Sequence, residues 1–238
     1  MRAVLFDFAG TLFDDRDLRD AHLRQLRFVA DAAGVHPSDA ELRAAYRQGM
    51  TEAYLATTIR PSYSHRTLFG AAFVATAAAL GGSIDGAVAD AAVDRQYRAT
   101  IEEAELRPDC LATLAALRAA GVHTQLVSNI DDEQLDPMLD RLGLADALDA
   151  WTSSDTAGSC KPDPVIYQLA LTKAGAAPDE ALFVGDSLRH DVIGPAALGI
   201  RTAWLAPRAD ADVGGAAPDA VIRSLSEVPG LVGAGALP

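Results

Sequence analysis

The sequence predicts an α/β fold in two parts: a three-layer α/β/α core around a parallel sheet, and an all-helical cap domain inserted after the first strand. After residue 108, apolar strand-like runs alternate with helix-like segments, a pattern typical of a parallel sheet with helices on both faces. Between residues 14 and 105, apolar residues recur at helical spacing throughout. We therefore assign residues 1–14 and 106–238 to the core and residues 15–105 to the cap.

The composition favours a packed protein that binds neither nucleic acid nor membrane. Half of the 238 residues are hydrophobic, and the formal net charge of −13 repels nucleic-acid phosphates and anionic lipids. The uncharged stretch 67–84 is rich in Ala and Gly and is interrupted by Gly81-Gly82, so it predicts a buried helix. Cys110 and Cys160 are too few for a disulfide scaffold or a zinc site. We expect a cytoplasmic monomer or homodimer.

The predicted elements follow in order from the opening strand. Residues 3–7 form an apolar run that ends on Asp7, as expected of a buried strand followed by a loop. In the cap, Pro37 and Pro61 mark breaks or starts of helices. In the core, we predict helices at residues 109–120, 133–142 and 164–174 and one that ends near Gly199, and strands at residues 122–127, 150–153, 181–186, 201–206 and 219–224.

Four of the predicted strands end in polar loops. These loops are Asp7–Thr11 (DFAGT), Ser128-Asn129, the KPDP segment that begins at Lys161, and Gly185–Asp191 (GDSLRHD). The carboxyl ends of the strands of an open α/β sheet line one crevice, so the loops are expected to meet there. Each loop alone is typical of an ordinary turn or helix cap, whereas four in this order indicate a catalytic site.

Three carboxylates are expected in that crevice, on Asp7, Asp186 and Asp191. Like charges at short range repel each other unless a cation neutralises them. Mg²⁺ prefers oxygen ligands and keeps waters that a phosphate can replace. Lys161 adds a mobile positive charge, so the crevice suits a magnesium ion and an anionic substrate.

The other polar groups of the loops suit a cradle for a phosphoryl group. Ser128 or Thr11 supplies a hydroxyl donor. Asn129 supplies a side-chain amide, and the backbone at Gly10-Thr11 supplies further amides. In such a cradle, the Asp7 carboxylate can attack phosphorus and form an aspartyl-phosphate. The expected substrate is a small phosphorylated metabolite.

These motifs resemble the haloacid-dehalogenase-like (HAD-like) hydrolase superfamily, and the resemblance covers most of the chain outside the inserted helical block. It rests on Asp7-x-x-Gly10-Thr11, Ser128-Asn129, Lys161-Pro162, Gly185-Asp186-Ser187 with Asp191, and GPAALG at 194–199. It implies a Rossmann-like core, a helical cap and, most often, Mg²⁺-dependent hydrolysis of phosphate esters. By that likeness, Asp7 is the nucleophile and a metal ligand. Asp186 and Asp191 complete the metal site, while Ser128 and Lys161 bind phosphate.

Ala9 departs from the pattern that the resemblance implies for phosphatases. Those enzymes carry an Asp at this position, which protonates the leaving oxygen and then activates water. Ala9 keeps the backbone carbonyl that would reach the metal, so metal binding is expected to survive. The missing general acid–base catalysis is typically worth ~10²–10⁴-fold in rate. We therefore expect an activated substrate, or a proton donor supplied by the cap.

Several side chains in or near the cap are candidates for that proton or for a second anionic group of the substrate. The candidate donors are Asp14, Asp15, His22, Tyr46, Tyr63 and His65. The candidate cations are Arg47, Arg60 and Arg66. Gly49 and Gly70 are interpreted as bends near the site or as ordinary helix breaks.

Three other functions stay open. Dehalogenases of the superfamily also lack the second Asp, but they usually carry Tyr there and need no metal-site acids. Phosphonatases resemble this chain in carrying Ala, but they use a cap lysine, and no lysine precedes Lys161. A protein that binds a phosphorylated ligand without turnover, or an inactivated variant, would also fit Ala9.

Overall fold

The computed structural model describes residues 1–14, 18–57, 62–206 and 215–233. The chain divides into two compact units. The core unit comprises Met1–Asp14 with Glu105–Pro238, and the cap unit comprises Asp15–Ala104. The predicted fold class is confirmed, because a parallel sheet is combined with a helical region that follows the first strand.

Six parallel strands form the sheet of the core unit. They are β1 (Ala3–Phe6), β2 (His123–Ser128), β3 (Ala150–Ser153), β4 (Ala181–Gly185), β5 (Arg201–Leu205) and β6 (Ala220–Ile222). Their order is β3-β2-β1-β4-β5-β6, so β1 lies in the interior of the sheet and pairs with β2 and β4. Each of the six predicted strands is present, with bounds close to those expected from the sequence.

Strand β1 is buried: it has a neighbouring strand on each side, and α9 packs against its Ala3 and Leu5 side chains. Its residues AVLF are all inaccessible to solvent. Phe6 lies opposite Leu126 of β2 and Val184 of β4. The carboxyl ends of these three strands are therefore level with one another, and the residues that follow them emerge on the same side of the core, at the carboxyl-terminal end of the sheet.

The described part of the cap unit is helical. Its helices are α1 (Arg19–Ala32), α2 (Asp39–Thr57), α3 (His65–Ala79) and α4 (Gly86–Glu103). Ser64 caps α3 by accepting a hydrogen bond from the Thr67 amide, and Asp85 caps α4 in the same way. The predicted break at Pro37 precedes α2, whereas the one at Pro61 lies outside the described residues.

Helices α2 and α3 approach each other closely at Gly49. A Cβ on Gly49 would lie 2.7 Å from the backbone oxygen of Ala72 and 2.8 Å from Thr76 Oγ1. Gly70 lies inside α3, and a Cβ placed there would meet no atom within 4 Å. Both glycines are interior to their helices, so neither is the helix break considered from the sequence.

Helices cover the sheet of the core unit. They are α5 (Cys110–Ala119), α6 (Asp132–Arg141), α7 (Leu144–Ala147), α8 (Ser154–Ala157), α9 (Pro164–Ala174), α10 (Gly194–Ala196) and α11 (Val228–Gly233). Helix α9 begins with the N-cap Asp163 and buries Ile166 and Ala170 against Leu5 and Phe183 of the sheet. No helix in the described part of the chain has both the length and the apolar composition that a membrane span requires.

The segment after β4 differs from the regular helix predicted there. Leu188–Ile193 is π-helical and is followed by the single turn of α10. The chain passes close to α9 at this point, because a Cβ on Gly194 would lie 2.4 Å from the Tyr167 hydroxyl oxygen. Asp191 lies within the π-helical segment and is fully buried. Such segments are rare and occur frequently at functional sites.

Candidate active site

Asp7 is the first residue after β1, and it is buried. Its backbone amide donates to the Val184 carbonyl at 2.9 Å, which extends the pairing of β1 with β4 by one residue. Its Oδ2 atom accepts a hydrogen bond from Thr11 Oγ1 at 3.4 Å. The interior strand β1 therefore places this carboxylate at the carboxyl-terminal end of the sheet.

Lys161 joins two of the predicted carboxylates. Its Nζ atom lies 2.6 Å from Asp7 Oδ1 and 2.8 Å from Asp191 Oδ1, and all three residues are buried. Burial alone would lower the pKa of Lys161, but the negative charges of Asp191 and Asp7 outweigh it and raise this pKa above its usual range. Lys161 therefore carries a positive charge at neutral pH.

Asp191 is held by the backbone as well as by Lys161. Its Oδ2 atom accepts from the Ser187 amide at 2.9 Å, and its own amide donates to the Ser187 carbonyl at 2.8 Å. Burial raises the pKa of Asp191, and the charge of Lys161 opposes that rise. A Cβ on Gly185 would lie 2.3 Å from Asp191 Cγ, so the glycine leaves the room that this carboxyl group occupies.

Asp186 is the exposed member of the carboxylate group. Its backbone carbonyl accepts a hydrogen bond from Trp204 Nε1 at 2.8 Å. A Cβ on Gly10 would lie 2.5 Å from Asp186 Oδ2, so the backbone of the first loop contacts this carboxylate directly. Gly10 also has a φ of +81°, which disfavours any residue with a side chain.

The three carboxylates fit a hard divalent cation. One oxygen from each of Asp7, Asp186 and Asp191 lies within 4.8 Å of the other two. When every group is ionised, these three carboxylates and the single Lys161 ammonium leave a formal charge of −2. Mg²⁺ carries the opposite charge and prefers oxygen ligands of this kind.

Ser128 and Asn129 follow one another at the end of β2. Ser128 is the last residue of the strand and is buried. The Asn129 side chain bonds the backbone of Lys161 twice: Nδ2 donates to its carbonyl at 3.1 Å, and Oδ1 accepts from its amide at 2.6 Å. Asn129 therefore orients Lys161, a contact that the sequence did not predict.

The loop from Asp7 to Thr11 contains the Thr11 backbone amide, which was expected to face a phosphoryl group, and Ala9. The Thr11 amide donates to the Phe8 carbonyl at 3.1 Å, so this amide already has a partner and is not a free donor for a phosphate. Ala9 is exposed, and its methyl group can neither give nor take a proton.

Tyr167 and His190 support the site, and sequence analysis did not single them out. The Tyr167 hydroxyl donates to the His190 carbonyl, and its ring packs edge-to-face on Phe183 with centroids 5.6 Å apart. The centroid of the Phe183 ring in turn lies 5.3 Å from Lys161 Nζ. The helical pattern of residues 164–174 predicts that Tyr167 is buried, but it carries no signal of these partners.

His190 is a neutral imidazole next to Asp191. Its Nε2 atom is buried and has no hydrogen-bond partner among the residues that the structure describes. Burial, together with the positive charge of Lys161, lowers the pKa of His190 to about 4.

The candidate proton donors have contacts of their own. Asp14 belongs to the core unit, where its Oδ2 atom lies 3.6 Å from Arg107 Nη2. Burial raises the pKa of Tyr46, which makes it a weaker acid. Tyr63 stacks on His65 with ring centroids 6.1 Å apart.

Among the candidate cations, Arg66 pairs with Asp94 at 2.8 Å and lies over the ring of Tyr97. The candidate donor Asp15 and the candidate cation Arg60 lie outside the described residues.

The relatives of this chain include a phosphatase and a haloacid dehalogenase. The ribulose-1,5-bisphosphate 5-phosphatase of Halopiger xanaduensis is 34% identical over 119 residues, which are 50% of this chain and 50% of the phosphatase. The (S)-2-haloacid dehalogenase 1 of a Pseudomonas species is 29% identical over 204 residues, which are 85% of this chain and 83% of the dehalogenase. The chain thus spans about half the length of the phosphatase it matches and most of the dehalogenase.

The fold is shared with solved structures. A magnesium-bound hydrolase of the HAD type from Bacillus subtilis aligns with a TM-score of 0.78 at 21% identity, over 97% of this chain and 98% of that one. Residues 1–199 match the family described as haloacid dehalogenase-like hydrolases. The resemblance that the sequence motifs suggested is therefore confirmed, and the chain belongs to the haloacid dehalogenase-like hydrolase family.

Proposed function

We propose that this chain is a Mg²⁺-dependent phosphohydrolase that acts on a small phosphorylated metabolite, with Asp7 as the nucleophile. The observation that carries the proposal is the buried Lys161 ammonium, which lies 2.6 Å from Asp7 and 2.8 Å from Asp191. Such a cation can be shared between the attacking carboxylate and a phosphoryl group. The match to a sugar bisphosphate phosphatase supports a phosphorylated substrate.

In the proposed reaction, an Asp7 oxygen attacks phosphorus while the bond between phosphorus and the ester oxygen breaks. The product is an aspartyl-phosphate on Asp7, and the ester oxygen leaves as an anion with the electron pair of the broken bond and then takes a proton from water. Water then cleaves the acyl-phosphate, which releases inorganic phosphate and restores the carboxylate. Lys161 offsets the negative charge of the transferring group, and the proposed role of Ser128 is to donate a hydrogen bond to it.

The proposed ligands of Mg²⁺ are the carboxylates of Asp7, Asp186 and Asp191 and the backbone carbonyl of Ala9. The grouping of the carboxylate oxygens within 4.8 Å supports this assignment. When bound, Mg²⁺ would stabilise negative charge on the phosphoryl oxygens as a Lewis acid.

Ala9 restricts the substrates that the proposed site can turn over. An alkoxide leaving group needs a proton, and the exposed methyl group of Ala9 cannot supply it. An aryl or acyl phosphate releases a weaker base, so it needs less acid assistance. We therefore propose activated phosphates as the preferred substrates.

Phosphate release assays test this proposal. With Mg²⁺, the purified protein should hydrolyse acetyl phosphate and aryl phosphates but act slowly on alkyl phosphates. Ala9→Asp should raise alkyl phosphate hydrolysis by ~10²–10⁴-fold, because it supplies a carboxyl group for acid–base catalysis. Asp7→Asn is the matched control, since it preserves shape and removes the nucleophile. The absence of phosphate release from every activated substrate would contradict the proposal.

A haloacid dehalogenase is the second candidate, because the dehalogenase relative matches 85% of this chain and the phosphatase relative only 50%. In that reaction, Asp7 would attack the halogen-bearing carbon, release halide and form an ester that water hydrolyses. Halide release from 2-chloropropionate in the presence of EDTA would select this function.

Two further alternatives are a phosphonatase and a protein that binds a phosphorylated ligand without turnover. A lysine-based phosphonatase mechanism is disfavoured, because no lysine precedes Lys161 in the chain. Tight binding of a phosphorylated ligand without turnover would instead indicate a binding protein. Recovery of activity by Ala9→Asp in that case would show that the other site residues are competent.

A further inference from the structure

Arg107 makes three hydrogen bonds to the loop that follows β1. It lies just after Glu105, where the chain re-enters the core unit from the cap unit. Its Nε atom donates to the Thr11 carbonyl at 2.9 Å, and its Nη2 atom donates to the Gly10 carbonyl at 2.8 Å. Its backbone amide also donates to the Leu12 carbonyl at 2.8 Å. One residue therefore bonds three successive carbonyls of this loop.

The peptide groups whose carbonyls bond Arg107 are also hydrogen-bonded through their amide nitrogens. The Thr11 amide donates to the Phe8 carbonyl at 3.1 Å, and the Leu12 amide donates to the same oxygen at 2.8 Å. The peptide group between Gly10 and Thr11 and the next one are thus fixed at both their oxygen and their nitrogen atoms. Removal of the Arg107 side chain would release the oxygen end of each.

The position of this loop affects two of the site carboxylates. Thr11 Oγ1 donates to Asp7 Oδ2 at 3.4 Å. The backbone of Gly10 contacts Asp186, since a Cβ there would lie 2.5 Å from Asp186 Oδ2. A shift of Gly10 or Thr11 would therefore move the surroundings of both carboxylates.

We propose that Arg107 is a positioning residue that holds the Gly10–Leu12 loop, and through it Asp7 and Asp186, in their working arrangement. The planar guanidinium suits this task, because its nitrogen atoms reach two neighbouring carbonyls at once, which a lysine ammonium does less well. The kinetic part of this inference rests on the phosphohydrolase function proposed above. The structural part, the hold on the loop, is independent of it.

Arg107→Gln and Arg107→Lys test the inference, with Arg118→Gln as the matched control. Arg118 also belongs to the core unit and donates to a backbone carbonyl, that of Asp146 at 2.9 Å, but it contacts none of the site residues. Hydrogen exchange of the peptide that contains residues 8–13 measures the hold on the loop. Aryl phosphate hydrolysis gives kcat and KM, and calorimetric titration with Mg²⁺ gives the metal affinity.

In Arg107→Gln, we expect loop amides to exchange at least about tenfold faster than in the unchanged protein. We also expect kcat to fall about ten- to hundredfold, with KM changed less than about threefold. The reason is that the loop positions Asp7 and Asp186, which are the carboxylates proposed to act at the reacting phosphoryl group. Arg107→Lys should lie between Arg107→Gln and the unchanged protein, and it serves as the test if Arg107→Gln does not fold. Arg118→Gln should match the unchanged protein in all three measurements.

Two results would overturn the inference: loop exchange that stays as slow as in the unchanged protein, or faster exchange with an unchanged kcat. If the unchanged protein has no phosphatase activity, the proposed function fails. The role of Arg107 is then decided by hydrogen exchange of the loop and by Mg²⁺ affinity. Faster loop exchange with Mg²⁺ affinity weakened about ten- to hundredfold would then support the role of Arg107, and an unchanged affinity would reject it.

Discussion

Gly49 lies inside α2 at its close approach to α3, and Gly49→Ala tests the packing of the cap unit. In a helix with open space, Gly→Ala stabilises a protein by roughly 0.5–1 kcal/mol, because alanine loses less backbone entropy on folding. At Gly49, however, the new Cβ would lie 2.7 Å from the Ala72 oxygen and 2.9 Å from the Thr76 amide nitrogen. Both are backbone atoms, so the helices must separate, and overpacking of this kind typically costs ~1–3 kcal/mol. We expect a net destabilisation of about 1–2 kcal/mol.

Gly70→Ala is the matched control within the same pair of helices. Gly70 lies inside α3, and a Cβ placed there would meet no atom within 4 Å. The same chemical change should therefore stabilise the protein by roughly 0.5–1 kcal/mol. The two variants should move the free energy of unfolding in opposite directions.

Urea unfolding followed by far-ultraviolet circular dichroism measures both changes, because the signal includes the cap helices. The two tryptophans, Trp151 and Trp204, both belong to the core unit, so their fluorescence follows that unit separately. The expected shifts appear in the dichroism transition. If Gly49→Ala proves as stable as Gly70→Ala, the contact between α2 and α3 tolerates a methyl group and the packing argument is wrong.

Three further predictions concern the core unit. Lys161→Met leaves two buried carboxylates without their shared cation, so urea unfolding without divalent ions should reveal a loss of ~3–5 kcal/mol. Burial raises the pKa of Cys110 to about 12, so peptide mass mapping should find its alkylation at about pH 8 slow in the native protein and rapid in urea. Burial alone would raise the pKa of Asp109, but hydrogen bonds from Ser224 and Ser226 outweigh it and lower this pKa. The stability that Asp109→Asn removes should therefore be present above the ordinary carboxyl pKa of ~4 and disappear as the pH falls below it, as melting curves at several pH values would show.

The convergence of the carboxylates could be predicted because it follows from local patterns and one rule of topology. Asp7 and Asp186 each come directly after a short apolar run, and those runs are β1 and β4. Parallel strands in one sheet present their carboxyl ends at the same edge, so residues far apart in sequence meet there. Lys161 and Asp191 could be placed near them by the same reasoning.

The supporting contacts could not be predicted, because they depend on where individual backbone carbonyls point. Arg107 and Gly10 are 97 residues apart, and no periodic pattern links an arginine to a distant carbonyl. Asn129 and Lys161 are 32 residues apart and pair through the backbone of one of them. The π-helical segment after β4 is a further case, since its wide turn accompanies a tertiary contact between Gly194 and Tyr167.

The central place of β1 in the sheet has a consequence for biosynthesis. Ala3 pairs with His123 on one side and with Ala181 on the other, so the first strand leaves the ribosome long before either neighbour. The cap unit is continuous in sequence and can fold in that interval, while β1 remains an unpaired apolar segment. A nascent or truncated chain that stops before β4 therefore leaves one side of β1 unpaired, and an unpaired strand of this kind is open to aggregation.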